Sequence, residues 1–370
     1  MVNETALKYQ VGLNLIDGVG CITAKKLIAY AGSVEGVFNE KKKNLLKIPG
    51  IGEQTADSIM NQKVLEKAEK EVEFIKKFQI KVLFYLDKNY PERLRNCPDS
   101  PLLLYVKGNV NFNQSKIISI VGTRNATQYG KDITEKLISE LAERNHNPII
   151  VSGLAYGIDI FAHKAALKNN LPTVAILGHG LRTIYPALHK PVAKEIIKNG
   201  ALVTEFENDI KADKPFFVKR NRIIAGISDA TIVVESGEKG GALITADIAN
   251  SYNKDVFAFP GRVNDTYSRG CNKLIKSNKA NLIENTDDLE YLLGWNSEKK
   301  DNKVIQKELF VELSDDERKI YNLLKERNEW ILDDICVHLS LPVSLISSVL
   351  LNLEFSGLVK SLPGKLYKAL

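Results

Sequence analysis

Between residues 116 and 261 the apolar residues fall into short unbroken runs. Each run is separated from the next by a stretch in which apolar residues recur every three or four positions. The runs are KIISIVG (116–122), PIIVSG (148–153), TVAILG (173–178), ALVTEF (201–206), ATIVVES (230–236) and DVFAFPG (255–261). The amphipathic stretches between them are 128–144, 159–169, 188–199 and 242–252. Near-continuous apolar strands alternating with helices predict an α/β domain over 81–290. Its sheet is parallel and doubly wound, with helices on both faces, because both sides of such strands must be covered.

Ahead of this segment, residues 1–80 read as a small helical domain with an internal repeat. IDGVGCITAKKL (16–27) matches IPGIGEQTADSI (48–59) and aligns Gly18 with Gly50, Gly20 with Gly52 and Ala24 with Ala56. A hydrophobic-Gly-hydrophobic-Gly turn opening a helix marks a helix-hairpin-helix. Its glycines permit the turn and leave helix N-terminal N–H groups free for a phosphate. Lys25 and Lys26 after the first copy favour contact with DNA, while Glu53 and Asp57 after the second oppose it. A module held together only by its own packing is the competing reading. Beyond 290, the polar stretch GWNSEKKDNKVIQKE lies in a linker placed at 291–313. Residues 314–370 then predict three helices and a hairpin around Pro363-Gly364, an arrangement that resembles a winged helix-turn-helix.

The chain has 370 residues and a net charge of +6. Residues 1–80 carry 12 basic and 10 acidic side chains, 81–300 carry 30 and 24, and 301–370 carry 9 and 11, so the excess is concentrated in the sheet domain. Cys21, Cys97, Cys271 and Cys336 show no paired spacing, which argues against a disulfide framework or a zinc site and fits a reduced compartment. No stretch reaches the roughly 18 apolar residues that span a bilayer. The start MVNETALKYQ is too polar for a signal peptide, so a cytoplasmic protein with no membrane partner is expected.

In an open parallel sheet, ligands bind at the carboxyl ends of the strands, near the point where strand order reverses. Most of those ends carry glycine here: Gly122-Thr123-Arg124, Ser152-Gly153, Gly178-His179-Gly180, Ser236-Gly237 with Gly240-Gly241, and Pro260-Gly261-Arg262. Glycine lets a ligand approach the backbone, and the helix that follows offers free N–H groups to an anion. Any one loop could be a tight turn and no more; five on one rim predict a phosphate-rich ligand. None has the spacing GxGxxG, and GxxxxGK[ST] does not occur, so neither a nicotinamide cofactor nor a P-loop nucleotide is expected; no cofactor or metal is called for.

The stretch KPFFVKRNR (214–222) joins that rim, ahead of a helix read from RNRIIAGIS. Its lysines and arginines can neutralise phosphates, and Phe216 or Phe217 can stack on a base of any identity. Both faces of a base are already covered in a duplex, so rings beside cations point to a single strand. The competing reading puts the phenylalanines in the core and Arg220 or Arg222 in buried ion pairs.

These residues carry a family resemblance. SIVGTRNATQYG (119–130), VSGLAYGIDIFAHKAAL (151–167), VAILGHGLRTIYP (174–186), FVKRNRIIAGIS (217–228), GGALITADIA (240–249) and VFAFPGRV…SRGCNKLI (256–275) together resemble the DNA-processing protein A family, DprA, also called Smf. The resemblance covers most of 81–285. It departs from the family's pattern at Val218, where proline is usual, at GGAL in place of SGSL, and at Lys279 in place of a glycine. It implies an extended Rossmann-like domain that binds single-stranded DNA and forms a homodimer, flanked by a helix-hairpin-helix (SAM-like) module and a winged helix. It further implies a protein that shields incoming DNA and loads the RecA recombinase in natural transformation. Carried over by motif, Arg124 contacts phosphate, Lys214 and Phe217 form the basic and aromatic parts of the pocket ahead of Arg220 and Asn221, and Ser152 and Gly153 meet the backbone of the strand.

Two other classes compete. Nucleotide-cleaving phosphoribohydrolases share the fold superfamily, but their signature PGGxGTxxE corresponds here to KGGALITAD, which lacks the glutamate. His163, His179 and His189 are scattered, so no nucleophile–base–orienter set can be assembled and no catalytic residue is expected. A winged-helix transcription regulator needs cations or amides on its recognition helix. PVSLISSVLLNLEFSG has no lysine or arginine, which points to protein contact or regulation instead.

Overall fold

The computed structural model describes residues 4–61, 63–295, 313–326, 330–362 and 365–369. Nine strands form one sheet: β1 (Lys81–Phe84), β2 (Leu103–Gly108), β3 (Ile117–Val121), β4 (Ile149–Ser152), β5 (Thr173–Ile176), β6 (Gly200–Thr204), β7 (Ala230–Val233), β8 (Asp255–Ala258) and β9 (Asn281–Leu282). Their order is β1-β2-β6-β5-β4-β3-β7-β8-β9. Every residue of β3 to β7 is buried, which is why these strands read as unbroken apolar runs.

The side chains of β3 divide the core. Ile117 and Val121 join one apolar layer with Ile223, Ile224 and Ile227, while Ile118 and Ile120 join the opposite layer with Leu137, Ile138 and Leu141. The chain steps from β3 through β4 and β5 to β6, then returns to the other side of β3 to lay down β7, β8 and β9. Order therefore reverses between β3 and β7, where the loops after the two strands diverge and leave a crevice.

The six expected strands are present and pair in parallel. The parallel sheet is extended at one edge by an antiparallel pair that the apolar runs did not reveal. There β2 runs antiparallel to β6, with Tyr105 opposite Thr204, and β1 runs antiparallel to β2. This pair covers the β6 edge that would otherwise present open backbone groups.

The N-terminal helices are Glu4–Asn14, Cys21–Ala31, Val34–Asn39, Lys42–Leu45, Glu53–Met60 and Lys63–Lys77. Gly18 and Gly50 hold φ of 78° and 92° in the two repeated turns, and Gly20 and Gly52 sit at the N-caps of the helices that follow. The core of this helical module includes Phe84, Leu102, Leu103 and Tyr105 from the sheet edge. By packing, Met1–Trp295 forms one compact unit and Asn296–Leu370 a second. In the second unit, helices Asp315–Lys325, Leu332–Leu339 and Val343–Phe355 enclose Ile320, Leu324, Ile335, Ile346 and Leu350. They meet a sheet of β10 (Trp330–Ile331), β12 (Leu366–Ala369) and β11 (Val359–Leu362), in that order. Residues 296–312 of the expected linker, and the hairpin tip at Pro363-Gly364, lie outside the described residues. Among the described residues no single helix is long and apolar enough to cross a membrane.

Candidate nucleic-acid interface

The loop after β3 is fixed from below. The Thr123 N–H donates to the Glu235 carbonyl at 2.7 Å, and the Ile158 N–H donates to the Thr123 carbonyl at 3.1 Å. The buried Glu235 carboxylate accepts from the Thr127 N–H at 3.0 Å and the Thr127 hydroxyl at 2.5 Å. A Cβ on Gly122 would run into the Ile158 side chain, so only glycine lets the loop lie this close to the helix Ile158–Lys168. Arg124 is left exposed at the tip.

The opposite wall is the helix Lys214–Ile227, which starts six residues earlier than the RNRIIAGIS reading placed it. Asp213 caps it by accepting from the Lys214 N–H at 2.7 Å, and Pro215 in the first turn loses no helical hydrogen bond. Helical spacing then decides among the alternatives. Lys214, Phe217, Val218, Asn221 and Ile224 fall on one stripe and line a cleft of about 690 Å³. Phe216 turns to Phe206, with ring centroids 4.8 Å apart. Arg222 is buried, its Nη2 2.5 Å from the Glu205 carboxylate and its Nη1 donating to the Asp99 carbonyl at 2.7 Å. Those two are structural, and Lys214 and Phe217 face the cleft.

Phe217 packs against Gly178, where a Cβ would approach the ring edge to 2.7 Å. The Tyr185 ring lies 5.6 Å from that of Phe217 at 33°, and the Arg124 guanidinium stands over Phe217 at 5.8 Å. Gly122, Thr123, Lys239, Gly240 and Gly241 complete the glycine side of the cleft. The helix Gly241–Ser251 has no side-chain cap at Gly240, which leaves its first N–H groups open towards this space.

Arg220 forms the floor. It is 4 % exposed, and its Nε and Nη1 have no hydrogen-bond partner. Burial pulls the guanidinium down to about 10, with Asp159 opposing that fall and Arg124 adding to it, so Arg220 stays charged at neutral pH. Burial pushes the Asp159 carboxyl up, and Arg220 and the N–H groups of Ala155 and Gly153 hold it back. Asp159 offsets part of the cost of burying the Arg220 cation, whose two unused donors remain available to a further anion.

Of the residues expected at the site, Arg124, Lys214, Phe217, Arg220, Asn221, Gly122, Thr123, Gly240 and Gly241 line one cleft. Ser152, Gly153 and Gly178 lie beneath its lining. The Ser152 hydroxyl donates to the Ile120 carbonyl at 2.6 Å, and the Gly153 N–H donates to Asp159 at 3.2 Å. A Cβ on Gly153 would occupy the place of the Arg220 guanidinium. The Pro260-Gly261-Arg262 loop is not part of the lining; Asn272 holds Gly261 on both its N–H and its carbonyl. Lys25, expected to favour DNA contact, turns inward instead, donating to the Ser100 hydroxyl at 2.6 Å beneath the Tyr85 ring. Among the lining residues not foreseen are one ring and one cation, Tyr185 and Lys239. Lys239 directly precedes the Gly240-Gly241 pair and could have been named from that position; Tyr185 lies in a turn without periodicity.

Comparison with known proteins agrees with this architecture. The family model for DNA recombination-mediator protein A matches residues 81–293. Models for the DprA winged helix domain and the SAM-like helix-hairpin-helix tandem match 311–365 and 13–62. Protein Smf of Synechocystis is 33% identical over 293 residues, covering 77% of this chain and 72% of its own. The DNA processing protein DprA of Bacillus subtilis is 38% identical over 203 residues, covering 55% and 67%. Among solved structures, DprA from Streptococcus pneumoniae superposes with a TM-score of 0.66 at 31% identity, covering 77% of this chain and 97% of that one. DprA from Helicobacter pylori, described for its single-stranded DNA binding mode, superposes at 0.53 and 32% identity over 59% and 97%. The chain belongs to the DprA (Smf) family of DNA-processing proteins.

Proposed function

We propose that the cleft binds single-stranded DNA and that the chain acts as a recombination mediator. In this reading it is a cytoplasmic homodimer that protects an incoming strand and passes it to the RecA recombinase, without cofactor or catalysis. The observation that carries the reading is the pairing of a buried Arg220, whose Nε and Nη1 have no hydrogen-bond partner, with exposed Arg124, Lys214 and Lys239 around the Phe217–Tyr185 ring pair. Cations meet phosphates, and rings take unstacked bases whatever their identity.

Nucleotide cleavage is the less favoured reading. The carboxylates lining the cleft are Asp159, engaged by Arg220 and by backbone N–H groups, and Asp213, engaged as a helix cap. The helix Val343–Phe355 exposes Leu351 and Phe355 and carries no cation, so the winged helix is assigned to protein contact. A fluorescence-anisotropy titration with single-stranded and duplex oligonucleotides tests the reading. Preference for the single strand, lost in Lys214→Ala, supports it; equal binding of both, or free base released from nucleoside monophosphates, refutes it.

A further inference from the structure

On the helix Lys63–Lys77 the inward stripe is Ala68, Val72 and Ile75, and Glu71 interrupts it. Glu71 is 6 % exposed, whereas Glu66, Glu69 and Glu73 of the same helix are exposed. Burial pushes its carboxyl up, so this position carries a cost that an alanine or leucine would not. Its bonds go outside its own module: one oxygen accepts from the Asn208 N–H at 3.0 Å, and the other from the Asn208 side-chain amide. From the first helix of the module, the Asn14 amide donates to Glu207 at 3.2 Å.

The chain so gripped connects β6 to the cleft wall. Its other side presses on the turn at Gly178–Gly180. The Gly180 N–H donates to the Ile210 carbonyl at 2.9 Å, and a Cβ on Gly180 would collide with the carbonyls of Glu207 and Asn208. Only five residues after Asn208 comes Asp213, the cap of the helix that presents Lys214 and Phe217, and Ala212 and Asp213 themselves line the cleft.

We propose that the N-terminal helical module is a positioning element for the cleft, acting through Glu71 and Asn14 on residues 207–213 and so on the placement of Lys214. The proposal rests on the single-strand reading for its consequence, but the grip itself is independent of any ligand. The module's part is then to hold one wall of the site, without touching the strand itself.

The test has two arms on the full chain. Hydrogen exchange without DNA reads the grip: in Glu71→Ala, amides of 207–213 should exchange faster while those of β3 to β5 stay protected. Unchanged exchange in 207–213 overturns the proposal. Anisotropy with an oligothymidylate reads the consequence through a double-mutant cycle. If Glu71 positions Lys214, the loss on Lys214→Ala should shrink by about threefold or more in the Glu71→Ala background. A loss of the same size in both backgrounds means that Glu71 acts only on stability, and it overturns the proposal. Should Glu71→Ala not fold, Asn14→Ala, which removes a single bond to the same segment, runs both arms. A wild type that ignores oligothymidylate while the exchange arm succeeds would refute the single-strand reading and leave the grip established.

Discussion

Replacing Lys214 by alanine removes one charge from the cleft and little else. Among the described residues four cations line it, Arg124, Lys214, Arg220 and Lys239. On a single strand each neutralised phosphate contributes about 0.7 to the dependence of log affinity on log salt, so four contacts predict a slope of about −2.8 and the variant about −2.1. Raising salt fourfold should then weaken the wild type about fifty-fold and Lys214→Ala about twenty-fold. Lys214 is exposed in the first turn of its helix, where a cation opposes the helix dipole, so the substitution should not lower the melting temperature. The assay is anisotropy of a labelled oligothymidylate across a salt series, with thermal unfolding as the control. An unchanged slope for Lys214→Ala, with binding itself steeply salt-dependent, would put the phosphate contacts outside this cleft.

Other outcomes follow from the same geometry. Phe217→Ala should cost about 1–3 kcal/mol of binding and leave the salt slope unchanged, because a ring is lost and no charge is; a flattened slope would contradict the assignment. His163 is fully buried, and its Nδ1 donates at 2.7 Å to a Thr173 hydroxyl that spends its own proton on the Ile150 carbonyl. Burial, helped by Arg220 and His189, pushes His163 down to about 3 from 6.5. Between about pH 3 and pH 6.5 it is therefore neutral in the folded chain and charged in the unfolded one. Its contribution is complete above about pH 6.5 and drains away as pH falls towards about 3, with roughly 2 kcal/mol lost between about pH 7 and pH 5. Urea unfolding of wild type and His163→Gln at the two pH values checks this; equal pH dependence in both would refute it. Deleting 309–370 should leave single-strand affinity within about twofold, since that unit's helix Val343–Phe355 offers no cation to a phosphate; a large loss would refute its assignment to protein contact.

Much of the architecture was legible because β3 to β7 are buried on both faces and must be apolar throughout. β1 and β2 were not, since short segments become strands here by covering the β6 edge, a tertiary reason with no local signature. Nine of the residues that line the cleft could be named from glycine positions and the KPFFVKRNR stretch, but their geometry could not. Phe216 and Phe217 are equivalent in composition, and only a helix starting at Lys214 sends one to Phe206 and the other to the cleft. Arg220 and Arg222 are likewise two positions apart: one forms the floor of the site, and the other pairs with Glu205. Tyr185 and Glu71 act through distant partners, Phe217 and Asn208, which no spacing along the chain reveals.

The most direct measurement is photocrosslinking of a 5-iodouracil single strand to the full chain, followed by peptide mapping. The account predicts adducts on Phe217 or Tyr185, suppressed by unlabelled single strand and far less by duplex. Adducts confined to the winged helix or the helical hairpins, with none between residues 122 and 241, would contradict it.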